Sequence, residues 1–234
     1  MADFAAEASP ETTRQPNRSR ERSWRALARV TGGAGLATLG LVFVPALANS
    51  GPEPGFDGGA DDILSFFRST GSAWDEFGAF STTVGIIALL WFTLGLSTLL
   101  RDSEPEPHWR TSIASGSGVV LVALVLAGSW QAASFRAEDL DPQVARYAFD
   151  EGNVAFANGW VALGSFALCC GWVIVSTGCI RRFLGWWAVA SGVGLVLSRA
   201  AWDREFWLRP YAMFWLWVIT VCVLLLRRGG LRAP

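Results

Sequence analysis

The sequence predicts an all-α fold, a polytopic transmembrane helix bundle of six spans with both termini cytoplasmic. Three observations predict it. Six long apolar runs alternate with polar connections, and most runs reach the roughly 20 helical residues that a hydrocarbon core of about 30 Å requires. Charge alternates with them, since arginines in short loops near span ends stay on the cytoplasmic side. The N-terminal segment, the second and fourth connections and the C-terminal segment hold thirteen arginines against seven acids, a net +6. The other segments hold six arginines against thirteen acids, a net −7, so the total of −1 conceals a strong asymmetry. Arginine-rich ends on one side require an even number of spans, and the expected location is the cell (cytoplasmic) membrane.

The elements follow in order. Residues 1–24 are polar, rich in Ser, Thr, Pro and Arg and without an apolar period, which predicts a disordered basic cytoplasmic tail. The six-span unit covers 25–228, with runs at 30–48, 80–100, 113–133, 153–175, 183–202 and 211–226, and 229–234 forms a second short cytoplasmic tail. Gly32-Gly33-Ala34-Gly35 opens the first run, a composition suited to close helix packing. That run ends Pro45-Ala46-Leu47-Ala48, so a second reading stays open, in which a signal peptidase cuts after Ala48 and leaves five spans. Its 19 residues exceed the apolar core of about 7 to 15 usual in a signal peptide, which favours the uncleaved form.

In the first acidic connection, Asp61 or Asp62 can cap a short helix in which Ile63, Phe66 and Phe67 share a face, predicting an element lying at the membrane interface. Trp74 and Phe77 then enter the second span where aromatic rings anchor at headgroup level. Asp141-Pro142 reads as an N-cap with proline at the first helical position, so the fourth helix starts outside the membrane and is the longest in the chain. The fifth and sixth runs are short or interrupted by charge.

The fourth helix carries the candidate site. Glu151, Ala155, Asn158, Ala162, Ser165 and Cys169 recur at spacings of three and four, so one face is entirely small or polar and should meet protein rather than lipid. Phe156, Trp160 and Leu163 form the bulky opposite side. On the fifth span Gly185, Ala188, Gly192, Leu195 and Arg199 follow the same spacing. This predicts packing of Ala155, Ala162 and Ser165 against Gly185, Ala188 and Gly192, with Arg199 level with Asp150 and Glu151 for an acid and arginine pair. An unpaired charge near the bilayer interior costs at least about 2.5 kcal/mol. For the polar cluster Asp150, Glu151, Asn153, Asn158, Arg199 and Asp203, two readings stand: a lock on one end of the bundle, or a solute or proton pathway. A hydrolytic site is disfavoured, because neither His-Glu-x-x-His nor Gly-x-Ser-x-Gly occurs.

Composition narrows the chemistry further. The four cysteines lie in or beside spans and behave as packing residues, and His108 is the only histidine, so neither a disulfide framework nor a histidine-based metal site is expected. No haem or dinucleotide signature predicts a cofactor, and most of the thirteen tryptophans fall in the two aromatic belts.

The order of an arginine-rich start, a glycine-rich first span, an acidic segment with Phe66-Phe67 and the turn Ile180-Arg181-Arg182-Phe183-Leu184-Gly185-Trp186-Trp187 resembles bacterial multi-span integral membrane families of unknown function. The resemblance implies a membrane helix bundle and brings no catalytic residues. The function expected is that of a non-enzymatic accessory or regulatory subunit acting through helix contacts. The alternative is a small-solute or proton-linked transporter with its polar site near the ends of the fourth and fifth spans. Expected partners are the lipid bilayer and either another membrane protein or a second copy of the chain, with no nucleic acid.

Overall fold

A computed structural model describes residues 18–48, 53–55, 57–69, 73–201 and 205–228. They form eight α-helices and two short 3-10 turns: α1 Arg18–Ala48, α2 Ala60–Ser69, α3 Ala73–Arg101, α4 Trp109–Leu126, α5 Trp130–Phe135, α6 Pro142–Thr177, α7 Arg182–Ser198 and α8 Leu208–Arg228, with turns at Arg199–Ala201 and Glu205–Trp207. No strand occurs among the described residues. Six stretches are long and apolar enough to cross a membrane, so the chain is built as a multi-pass membrane protein.

Successive spans run in opposite directions and bring both ends of the bundle's chain to one side. Arg20, near the start of α1, meets Asp102, just past the end of α3, at 3.4 Å. Gly32 of α1 backs onto Cys222 and Leu226 in the last turns of α8. We call this the arginine-rich end and the opposite one the acidic end. Hydroxyls tie α1 to α3: Thr38 donates to the Gly85 carbonyl at 3.1 Å, and Ser81 to the Leu41 carbonyl at 3.1 Å. Such bonds between helices matter in lipid, where burial of apolar surface gives no driving force for association.

The central element is α6. It is 36 residues long, a length of about 54 Å at the α-helical rise. Asp141 caps it by accepting from the Gln143 N–H at 2.8 Å, Pro142 occupies its first turn, and Gly178 ends it in the left-handed conformation with φ of 67°. Its middle is fully buried at Phe166, Ala167, Cys170, Val173 and Ile174, against a core that includes Phe92, Phe214 and Trp217. Bulky apolar side chains such as Trp91, Val119, Phe183 and Leu216 remain exposed on the outside, where hydrocarbon would surround them.

Several boundaries and contacts differ from expectation for local reasons. Helix α1 begins at Arg18, inside the expected tail, where Glu21 and Arg25 pair at one-turn spacing and Arg20 reaches α3. The rest of that tail, 1–17, and the second tail, 229–234, lie outside the described residues. The third span is not continuous to 133. It breaks at 127–129, and α5 restarts with Ser129 as N-cap. Helix α2 does not give its apolar face to lipid. Ile63, Leu64 and Phe67 are buried against Ala133, Ala145, Ala148 and Phe149, making a second, smaller core at the acidic end.

Candidate functional site

The expected polar cluster is divided among separate structural tasks. Glu151 accepts from the Ser129 N–H at 2.9 Å and from the Ser129 hydroxyl at 2.7 Å, so its carboxylate serves the N-terminus of α5. Arg199, in the 3-10 turn after α7, donates from Nε to the Asn158 side-chain oxygen at 2.8 Å. Glu151 and Arg199, expected to stand at one level as an acid and arginine pair, are thus seen on Ser129 and on Asn158 respectively. Asp150 makes only a loose contact of 3.9 Å with Arg146 one turn away. Asn153 donates to the Phe149 carbonyl at 3.0 Å. Asp203 lies outside the described residues.

The packing residues also separate. Gly185, Ala188 and Gly192 are buried, and the atoms of α6 nearest to the two glycines belong to Gly171, Ile174 and Val175 and to Gly164 and Leu168, not to Ala155, Ala162 or Ser165. Backbone approaches backbone at Gly164 and Gly171. A methyl carbon on Gly164 would sit 2.7 Å from the Gly192 carbonyl oxygen, and one on Gly171 2.7 Å from that of Gly185. Two glycines per helix at a spacing of seven thus set the distance between α6 and α7. Ser165 instead accepts from Ser117 of α4 at 2.8 Å, Ala162 is buried, and Ala155 lines a cavity. The bulky side is mixed, since Trp160 and Leu163 are each only 3% exposed while Phe156 is exposed.

That cavity, of about 580 Å³, opens at the acidic end between α3, α4, α5 and α6. Its wall includes Thr82, Thr83 and Ile86 from α3, Leu124 and Val125 from α4, and a run of aromatic rings. Trp160 and Trp207 stack with centroids 5.2 Å apart, Phe156 stands edge-on to both, and Trp130 packs on Phe149 at 5.3 Å. Glu53 and Asn153 are among its polar members, with Thr82, Thr83 and Gln131. Desolvation by the surrounding wall pushes the Glu53 carboxyl above the ordinary carboxylate range, and the Asn153 amide only partly opposes this. In the same wall, the Trp160 indole N–H is buried without a hydrogen-bond partner.

A second polar constellation sits at the arginine-rich end. Glu104, 3% exposed, receives four hydrogen bonds: Arg110 N–H at 3.1 Å and Nε at 2.8 Å on one oxygen, Thr111 N–H at 3.0 Å and hydroxyl at 2.7 Å on the other. It caps α4 from outside the helix, with His108 turning the chain at φ of 52° between them. Arg110 continues to Ser176 of α6 at 2.8 Å and lies beside the edge-on pair Trp109 and Trp172, 6.0 and 5.8 Å from their centroids. Burial alone would raise the Glu104 carboxyl, but the Thr111 and Arg110 hydrogen bonds outweigh it and hold the group below the ordinary carboxylate range.

Sequence reasoning missed both the cavity and this cap. The cap has a legible signal in Glu104 standing six and seven residues before Arg110 and Thr111 at a helix start. The cavity has only a faint one, the one-turn pair Phe156 and Trp160 on a helix whose far side is small. No family model, curated protein or solved structure matches this chain.

Proposed function

We propose that the chain is a non-enzymatic accessory or regulatory membrane protein, acting through helix contacts with another membrane protein or a second copy. The arginine-rich end lies in the cytoplasm and the acidic end faces away from it. The observation that carries this reading is the use of the polar groups. Glu151 and Ser129, Asn158 and Arg199, and Glu104 with Arg110 and Thr111 are joined in bonds that hold helix ends. Small-residue contacts then fix α6 on α7, which favours a rigid scaffold over a chemical machine. Purification of a tagged chain from native membranes in mild detergent, with masses determined for the intact complex, tests it. A stoichiometric second protein or a homo-oligomer supports the reading, and a monomer alone counts against it. Accessibility of tags at the two termini from the cell exterior tests the orientation.

A small-solute or proton-linked transporter is the second reading, favoured by the cavity at the acidic end. It requires that Asn158→Leu abolish a transport phenotype while protein level is kept. Loss of the protein itself would assign Asn158 to the lock with Arg199.

A further inference from the structure

We propose that the cavity at the acidic end binds a hydrophobic organic cation, an amine or quaternary ammonium whose charged end sits at Glu53 and Asn153 and whose body lies against Phe156, Trp160 and Trp207. This concerns occupancy of the cavity alone and rests on neither reading of the protein's role.

Size, charge and surface chemistry converge on that class. A volume of about 580 Å³ is that of a small-molecule site and exceeds a gap for a few waters. Among the described residues lining it, Glu53 is the sole ionisable side chain, so the wall offers a negative charge and no cation to answer a phosphate or carboxylate. Five of the lining residues are aromatic: Trp130, Phe149, Phe156, Trp160 and Trp207. Ring faces attract ammonium groups through their quadrupole, and the attraction grows where water is excluded. An acyl chain alone would leave Glu53 and Asn153 facing hydrocarbon, an arrangement that membrane proteins avoid.

The Glu53 carboxyl is held partly out of water, which disfavours its charge in the free protein. A cation arriving beside it restores the ionised form, so charge recognition and binding are coupled.

The test uses the full chain in uncharged detergent micelles and two probes of matched shape, benzyltrimethylammonium and its neutral carbon isostere neopentylbenzene, followed by equilibrium dialysis. We expect saturable binding of the cation, about tenfold weaker binding of the isostere, and about tenfold loss of cation affinity in Glu53→Gln. Asp57→Asn, a nearby acid outside the cavity wall, should leave cation binding unchanged, and Glu53→Asp should retain most of it. Trp160→Leu should weaken both probes. Equal affinity for the two probes, or cation binding indifferent to Glu53→Gln in a variant that still elutes as a single folded species, would overturn the proposal. So would the absence of saturable cation binding to the parent chain. Where Glu53→Gln does not fold, the comparison of the two probes on the parent chain decides alone.

Discussion

At the arginine-rich end the Glu104 carboxylate is enclosed by four hydrogen bonds from one helix start, while at the acidic end Glu53 and Asn153 stand at the rim of an aromatic cavity. Loss of water contact raises the carboxyl at both ends, and what differs is how many donors oppose it. Donors outweigh desolvation at Glu104, and desolvation outweighs a single amide at Glu53. The lesson is that a carboxylate near a membrane boundary is informative only through its donors. One that has its full complement is part of the frame, and one with a single partner beside open volume remains available to a ligand.

The largest expected effect tests the closed end. Glu104→Ala leaves Arg110 buried without its anion and the α4 N-terminus without its cap, and should cost about 3 to 5 kcal/mol in unfolding free energy measured by denaturant titration in micelles. A loss below about 1 kcal/mol would place Glu104 with ordinary surface ion pairs and dissolve the contrast.

Next comes the interface that neither end shares. Gly192→Ala brings a methyl carbon to 2.8 Å from the Gly164 carbonyl oxygen, so α7 must move, at a cost of about 1 to 3 kcal/mol in the same titration. Ala188→Gly, on the same face, should be milder, since it only removes a buried methyl.

Dependence on pH sharpens the comparison by its sign. Because folding holds Glu104 below its ordinary value, its contribution is complete above that value and is lost as pH falls through the lower, folded one. Because folding raises Glu53, its contribution runs the other way, declining as pH climbs from the ordinary carboxylate value through the raised one. Unfolding midpoints measured across the acid range should therefore lose their steep acid limb in Glu104→Gln and keep it in Glu53→Gln.

The smallest pair of effects separates used acids from decorative ones. Glu151→Gln weakens two hydrogen bonds to Ser129 and should cost about 1 to 2 kcal/mol, whereas Asp102→Asn disturbs only an exposed contact with Arg20 and should cost less than about 0.5 kcal/mol. Equal effects would mean that the break before α5 does not depend on its carboxylate cap.

The sequence by itself determined the helical class and six apolar stretches, because hydropathy summed over a span needs no knowledge of neighbours. It also determined the start of α6, since Asp141 and Pro142 act on their own helix within two residues. Periodicity likewise reached the small residues of α7 and, on α2, Ile63 and Phe67, whereas Leu64 is buried and Phe66 only partly so. It could say which residues share a face, but not what that face would meet. Only the tertiary structure decided that α7 approaches Gly164 and Gly171 and not Ala155 and Ala162, that α2 covers α5 and α6, and that Glu151 answers Ser129 while Arg199 answers Asn158. The cavity belongs to the same category, since Glu53, Ile86, Asn153 and Trp207 come from segments far apart in the chain. The physical reason is common to all of these. A helix fixes the angle of each side chain about its own axis, whereas the partner at that angle depends on how closely backbones approach, and here glycine pairs set that distance.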